Sequence, residues 1–308
     1  MMDGFLQSLE GSPLAVRTTG LSKSFGAKKA LRGLDLAVPE GSVYVLVGPN
    51  GAGKTTSLRI LLDLVKADSG TSEVLGGATG SEGAWVRAQI GYVPDIHDFG
   101  YPELAVGSFL RHHRSYFPAW DETYALRLLS EFDISTEDTF GTLSKGQARR
   151  VQLVQAMAHR PPLLLLDEPT DGLDPLARDH LLGLLADHLA GTPTTVLLST
   201  HLVHEVEGLG DHLGVLRGGR LVAQLPRTTL HLGLHHLRAT IPEGWQSPPR
   251  LLEAAIVCQT QKRDISWTVW GDSEELQAQL SASGADLRHW EALNLEAATR
   301  AFLSMKER

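Results

Sequence analysis

The stretch Gly48-Pro49-Asn50-Gly51-Ala52-Gly53-Lys54-Thr55 constrains this chain more than any other. An apolar segment, Val43-Tyr44-Val45-Leu46-Val47, runs into it, and a helical pattern from Thr56 to Leu62 leaves it. Strand, glycine-rich loop and helix, in that order, are the context of a phosphate-binding loop. Glycines let successive backbone N–H groups turn inward and form an anion nest. The helix N-terminus adds partial positive charge and unpaired N–H donors. Lys54 can reach the β- and γ-phosphates as a point charge, and the Thr55 hydroxyl is placed to ligate Mg2+. The plain alternative is a turn that only joins a strand to a helix. Because both flanks match, a nucleoside triphosphate site is expected over Gly48, Pro49, Asn50, Gly51, Ala52, Gly53, Lys54, Thr55 and Thr56.

A triphosphate site needs a metal carboxylate, and the chain offers one. Pro161-Pro162 breaks a helix, and Leu163-Leu164-Leu165-Leu166 follows as a wholly apolar run. Such a run reads as a strand covered on both faces. It ends in Asp167-Glu168, where ligands bind in open α/β sheets. Asp167 is expected to hold Mg2+, directly or through water. Glu168 points the other way and could orient or deprotonate an attacking water. The alternative is an acidic pair that is merely solvated. Thr195 to Thr200 reads as a second buried strand, with His201 at its end, where it could hydrogen-bond a γ-phosphate. A lone histidine has a structural reading more often than not, but its place at a core strand's end favours the site.

Composition narrows the partners. With 308 residues the length prior is roughly two domains. The apolar share of 42% and charged share of 21% fit a soluble globular chain. A net charge of −8 argues against general nucleic-acid affinity, which relies on clustered Lys and Arg. The single cysteine, Cys258, allows no internal disulfide, as a reducing cytoplasm permits. Residues 1–12 read as a loose leader without the features of a signal peptide. No apolar run approaches the ~18 residues that would span a bilayer.

Around the loop the pattern is organised. Leu14 to Phe25 is strand-like, and Leu31 to Val38 alternates as one antiparallel strand would. Phe25 sits on a glycine-containing turn, where its ring could stack on adenine; a core phenylalanine is the alternative. Thr71 to Leu75 and Ile90 to Val93 are further short strands, the second ended by Pro94-Asp95. From about Ala105 to Phe140 the chain reads as helices, a helical insertion in an α/β chain. Leu143-Ser144-Lys145-Gly146-Gln147 then opens a helix to about His159. Ser144 and Gln147 have the spacing of a capping box, and those residues alone suggest only a helix start. Gly172-Leu173-Asp174-Pro175 opens another helix, to about Leu189.

Taken together, these residues resemble the ATP-binding cassette family, the nucleotide-binding subunits of ABC transporters. The resemblance covers about Leu14 to Pro226. Gly48–Thr55 resembles Walker A, and Leu143–Gln147 the LSGGQ signature. Leu163–Asp167 with Glu168 resembles Walker B and its catalytic glutamate. Gly172-Leu173-Asp174 resembles the D-loop, His201 the switch histidine, and Phe25 falls where the family places its adenine-stacking aromatic. The resemblance implies an α/β fold: a P-loop NTPase core with an antiparallel β subdomain and a helical subdomain (about 95–160) within residues 13–227. It implies ATP and Mg2+ as cofactors, with Glu168, His201, Lys54 and Asp95 catalytic and Thr55, Asp167 and Asp95 at the metal. It also implies two cassettes packed head to tail, so that Ser144, Gly146, Gln147 and Asp174 reach the nucleotide across the interface. A homodimer is the default by symmetry, with a related second cassette as the alternative.

The implied partner is an integral membrane permease, with this chain peripheral on the cytoplasmic face of the membrane. A short permease helix is expected in the groove beside Asp95, in contact with exposed positions between Pro94 and Gly107. The alternative function is a soluble ATP-dependent switch without a transport role. Two positions depart from the family pattern. Asp95 stands where the family commonly has Gln; it keeps a hard oxygen for Mg2+ but adds charge and loses an amide donor. Lys145 replaces the first signature glycine, either adding positive charge near the opposing phosphate or pointing to solvent. Subunits with these departures belong to the type serving exporters with separate permease chains, so export is expected over import.

From Thr228 the register changes. His235 to Pro242 and Ile265 to Trp270 read as strands, Glu274 to Ser281 and Leu295 to Lys306 as helices, and Gly244 to Pro249 as a loop. Residues 228–308 are therefore expected as a small α+β C-terminal domain. His231, His235 and His236 are expected as ordinary surface histidines rather than a zinc site, because no Cys or carboxylate stands at matching spacing.

Overall fold

The computed structural model describes residues 13–95 and 100–305. The leader, the strip 96–99 inside the expected permease-contact segment, and the end of the last expected helix lie outside the described residues. The chain opens with β1 (Leu14–Phe25), β2 (Lys28–Leu34) and β3 (Ala37–Pro39), then β4 (Val43–Val47) and α1 (Lys54–Leu61). β5 (Ser69–Val74) and β6 (Gly77–Ala78) return to β1, completing a five-stranded antiparallel sheet. The sequence expected one strand over Leu31 to Val38, but the chain breaks it after Leu34. The reason is Asp35, whose carboxylate accepts the Gly20 N–H at 2.6 Å and turns the backbone out of the ladder.

Next come α2 (Gly83–Arg87), β7 (Ile90–Val93), and the helices α3 (Val106–Arg114), α4 (Glu122–Glu131) and α5 (Lys145–Met157). β8 (Leu163–Asp167), α6 (Pro175–Gly191), β9 (Thr195–Thr200) and α7 (Val203–Val206) follow, then the hairpin β10 (His212–Arg217) and β11 (Arg220–Pro226). A six-stranded sheet in the order β11-β10-β4-β9-β8-β7 forms the centre, parallel except for the edge pair β10/β11. This is the P-loop NTPase arrangement expected from the sequence.

The central strands are apolar throughout because both faces are covered. Alternate side chains enter different cores. Val43, Val45, Leu164, Leu166, Val196 and Leu198 join residues of α4, α5 and α6. Tyr44, Leu46, Leu163, Leu165 and Leu197 join α1 and the antiparallel sheet. Thus α1 and α5 are fixed on opposite faces of one sheet, with the strand ends between them.

The C-terminal segment runs through α8 (Arg227–Gly233), β12 (Leu234–Thr240), α9 (Pro249–Ala254), β13 (Ala255–Gln261), β14 (Asp264–Trp270), α10 (Ser273–Ala282), β15 (Asp286–Ala292) and α11 (Leu295–Ser304). From β12 to β15 the order is βαββαβ, and the antiparallel sheet is ordered β13-β14-β12-β15. That is the ferredoxin-like split βαβ topology. It has its own core, including Leu237, Ile265, Trp267, Val269 and Leu280. α11 does not share that core. Leu295, Ala298 and Phe302 bury into the cassette core, and the Leu295 N–H donates to Glu207 at 2.8 Å. The chain therefore leaves the cassette at β12 and returns to it with α11. His235 departs from the surface placement expected for it: it is only 5% exposed, against Trp290. Among the described residues, no His, Cys, Asp and Glu side chains gather in threes to hold a metal, and no helix is long and apolar enough to cross a membrane.

Candidate functional site

The site is built at the C-terminal ends of β4, β8 and β9. The loop after β4 is pinned at both ends by close packing. The Gly48 N–H donates to the Thr200 carbonyl at 3.3 Å, and a Cβ at Gly48 would land on the Leu216 carbonyl oxygen. Gly53, the N-cap of α1, has φ 115°, and a Cβ there would lie 2.7 Å from the Ala30 carbonyl oxygen. The residue type is thus dictated twice, by backbone angle and by space.

Lys54 is 5% exposed. Its Nζ donates to the Gly48 carbonyl at 2.7 Å and meets Glu168 Oε1 at 3.0 Å. The other carboxylate oxygen of Glu168, Oε2, accepts the His201 N–H at 3.2 Å and lies 2.9 Å from His201 Nδ1. Lys54, Glu168 and His201, brought from three separate segments, form one network. Glu168 is held in the left-handed region, with φ 47°. For a non-glycine residue this is a costly backbone, kept only where the surroundings enforce it. Its N–H donates to the Ser199 carbonyl at 3.0 Å.

Asp167 is fully buried. Its Oδ1 accepts from Ser199 Oγ at 2.5 Å and from Thr55 Oγ1 at 3.2 Å, while Oδ2 is buried without a hydrogen-bond partner. Burial raises the Asp167 carboxyl above the usual carboxylate range; the Ser199 and Thr55 hydroxyls oppose this, and the charges of Asp95 and Glu168 add to it. A carboxylate so placed gains from a hard cation, and the fit to Mg2+ is chemical: the Thr55 hydroxyl and the Asp167 carboxylate are hard oxygen donors on side chains already in contact.

Beside this group lies a cavity of about 280 Å3 lined by Phe25, Lys28, Ala30, Asn50, Gly51, Gly53, Lys54, Thr55, Thr56, Asp95 and Glu168. Phe25 is 52% exposed, so it is not a core phenylalanine. Lys23 Nζ sits 5.4 Å from its ring centroid. Asp95 is exposed at the cavity edge. Ser144, Gly146, Gln147 and Asp174 do not line it. Ser144 and Gln147 form a capping box at the start of α5. Asp174 N-caps α6, accepting the Ala177 N–H at 2.9 Å. Lys145, at the first position of α5, is exposed. Sequence reasoning missed Ser199, Lys28 and Arg149. The signal for Ser199 was a hydroxyl interrupting an apolar strand one residue before its end.

A family model described as ABC transporter matches residues 31–171, which holds both the loop and the buried carboxylates. Nod factor export ATP-binding protein I of Rhizobium sp. (strain N33) is 33% identical over 279 residues, covering 87% of this chain and 90% of that protein. The chain belongs to the ABC transporter family. It is an ATP-binding subunit of that family, whose cassettes hydrolyse ATP. The bacitracin transport ATP-binding protein BcrA of Bacillus licheniformis is 31% identical, covering 68% of this chain and 69% of its own length. A solved ATP-binding subunit of an ABC transporter superposes on this cassette with a TM-score of 0.62 at 30% identity, over 70% of this chain and 90% of its own. A dimeric bacterial ABC transporter cassette shares the fold, with a TM-score of 0.62 at 23% identity, over 68% of this chain and 98% of its own. These relatives favour a transporter subunit over a soluble switch. Coverage of 87% exceeds what residues before Arg227 can supply, so the likeness to the first relative runs into the C-terminal unit.

Proposed function

We propose that this cassette is a Mg2+-dependent ATPase that closes head to tail with a second cassette and drives a separate membrane permease in the export direction. The observation that carries the reading is the Lys54–Glu168–His201 network beside the half-satisfied Asp167. Phe25 stacks on the adenine, and the N–H groups of the Gly48–Thr56 loop take the phosphates. A phosphate reaching Lys54 competes with Glu168 for its Nζ. The carboxylate is then left to His201 and to a water, from which Glu168 Oε takes the proton. Thr55 and Asp167 would hold Mg2+, which would supply neutralisation of the phosphate charge that develops. The His201 backbone N–H keeps Glu168 aligned, which leaves the single N–H of its imidazole to turn toward the γ-phosphate.

The Ser144 hydroxyl and the Gly146 N–H, with Gln147 holding Ser144 in place, stand at a helix N-terminus outside their own cavity. In this reading they cap the phosphate held by the other cassette, and Asp174 lies at the same interface. The second cassette is a copy of this chain, the symmetric default. The subunit sits on the cytoplasmic face of the membrane through its permease, whose contact includes the segment after Pro94. Export is supported by the likeness to Nod factor export ATP-binding protein I.

The test is steady-state ATP hydrolysis by the purified chain with Mg2+ titrated against chelator, beside Glu168→Gln. Turnover that requires Mg2+ and is lost in Glu168→Gln, with ATP still bound, fits the reading. Turnover independent of Mg2+, or unchanged in Glu168→Gln, overturns it.

A further inference from the structure

Arg149 is the largest fully buried side chain in the described cassette, 1% exposed. Burying a guanidinium is expensive, and burial lowers its pKa from the ordinary arginine value. An apolar residue of similar volume would often be at least as stable in such a place. What the arginine does there is visible in its partners. One terminal nitrogen, Nη1, donates to the Pro94 carbonyl, immediately before Asp95, and to Gln152 Oε1 at 3.1 Å. The other, Nη2, donates to the Glu168 carbonyl at 3.4 Å. Four carboxylates, Asp95, Asp171, Asp167 and Glu168, favour its charge.

We infer that Arg149 is a positioning residue whose guanidinium ties α5 to the Pro94–Asp95 peptide and to the Glu168 peptide, so that the place of the Glu168 carboxylate depends on where α5 sits. The inference rests on the ATPase reading above. The mechanics follow from the helix. Arg149 stands five residues after the Ser144 cap, about 7.5 Å along a rigid rod. A shift of α5 that follows engagement of its N-terminus therefore moves the guanidinium with it. Two carbonyls are attached to that group, and neither is in a helix or at a ladder position. Glu168 is the more sensitive of the two because its φ of 47° is held against its own preference. The link lets capping of one nucleotide by Ser144 set the geometry of Glu168 at the other, and it reports the same movement to the segment beside Asp95. Lysine, with one nitrogen at the tip, cannot hold two carbonyls in a fixed fork.

The experiment compares the full-length wild type, Arg149→Lys and Arg149→Gln, with Glu168→Gln as reference. ATP affinity is measured by equilibrium binding, kcat and KM by steady-state hydrolysis, and backbone exposure by hydrogen–deuterium exchange without nucleotide. In Arg149→Lys, which keeps the buried charge and guards against loss of fold, kcat should fall about tenfold to a hundredfold, the range expected for roughly 1 Å of misplacement. ATP affinity and KM should stay within about twofold, since no phosphate contact is touched. Exchange should rise in the peptides holding Tyr92–Asp95 and Asp167–Asp171 together, and not in those of β4 or α6. Arg149→Gln should show the larger loss. Wild-type kcat in both variants, or faster exchange spread over the whole cassette, would overturn the inference while leaving the ATPase reading intact. If wild type and Glu168→Gln turn over ATP alike, the ATPase reading itself fails, and the inference with it.

Discussion

Glu168 is constrained through both carboxylate oxygens and through its backbone. One oxygen meets a buried ammonium, the other a half-buried imidazole, and its backbone sits where L-residues rarely go. Replacing Lys54 by Ala removes the phosphate-facing charge and leaves the Glu168 carboxylate without its cation. The expected result is loss of ATP binding rather than a slower turnover, checked by equilibrium binding. Glu168→Gln keeps the shape and removes the base. Turnover should drop by about 10²–10⁴, and ATP with Mg2+ should leave a stable dimer visible by light scattering. Asp95 gives a finer test. It lines the cavity and its charge acts on Asp167. Asp95→Gln should lower the dependence of hydrolysis on Mg2+; an unchanged Mg2+ titration would remove Asp95 from the metal site.

The elements are held by local rules that can be tested separately. The capping box on α5 satisfies two helix-end N–H groups, the Gln147 N–H through Ser144 Oγ and the Ser144 N–H through Gln147 Oε1. Ser144→Ala should destabilise the chain by about 1 kcal/mol, read as a lowered denaturation midpoint. Gly53→Ala meets both a φ of 115° and the Ala30 carbonyl, so it should abolish nucleotide binding or folding together. Much of this was legible beforehand because it lies in consecutive residues: the loop, the buried runs of β8 and β9, the capping box. What escaped depends on distant partners. Asp35 broke a strand by bonding to Gly20, fifteen residues away. Strands β13 and β15 carry little alternation: β13 is exposed on both faces from Cys258 to Gln261, and a register shift opposite Arg238 and Ala239 interrupts β15. Nothing in the sequence singles out Arg149, because only the packing of α5 against β7 encloses it.

At the scale of the molecule, α11 joins the ferredoxin-like unit to the cassette. Its first N–H is received by Glu207 beside α7, and the Arg217 guanidinium donates to the Leu303 carbonyl at 2.9 Å and to the Met305 carbonyl. No pattern in the sequence announced this return, because an amphipathic helix does not say which core it enters. Stability also carries a whole-molecule signature. Burial pushes His159 and His188 down to about 4. In the unfolded chain both titrate near ~6.5, so between those values the unfolded state binds more protons. Stability should therefore fall as pH drops from about 6.5 toward 4, and His188→Gln should make the decline of melting temperature shallower. An equal slope in the two proteins would remove His188 from the account. Whether ATP closure in this chain drives a membrane partner is read out by affinity purification of the tagged chain from detergent-solubilised membranes, with the companions identified by mass spectrometry. A stoichiometric polytopic protein held with a dimer of this chain is the expected companion. A clean dimer free of any membrane protein, or a ribosomal or DNA-bound companion, would contradict it.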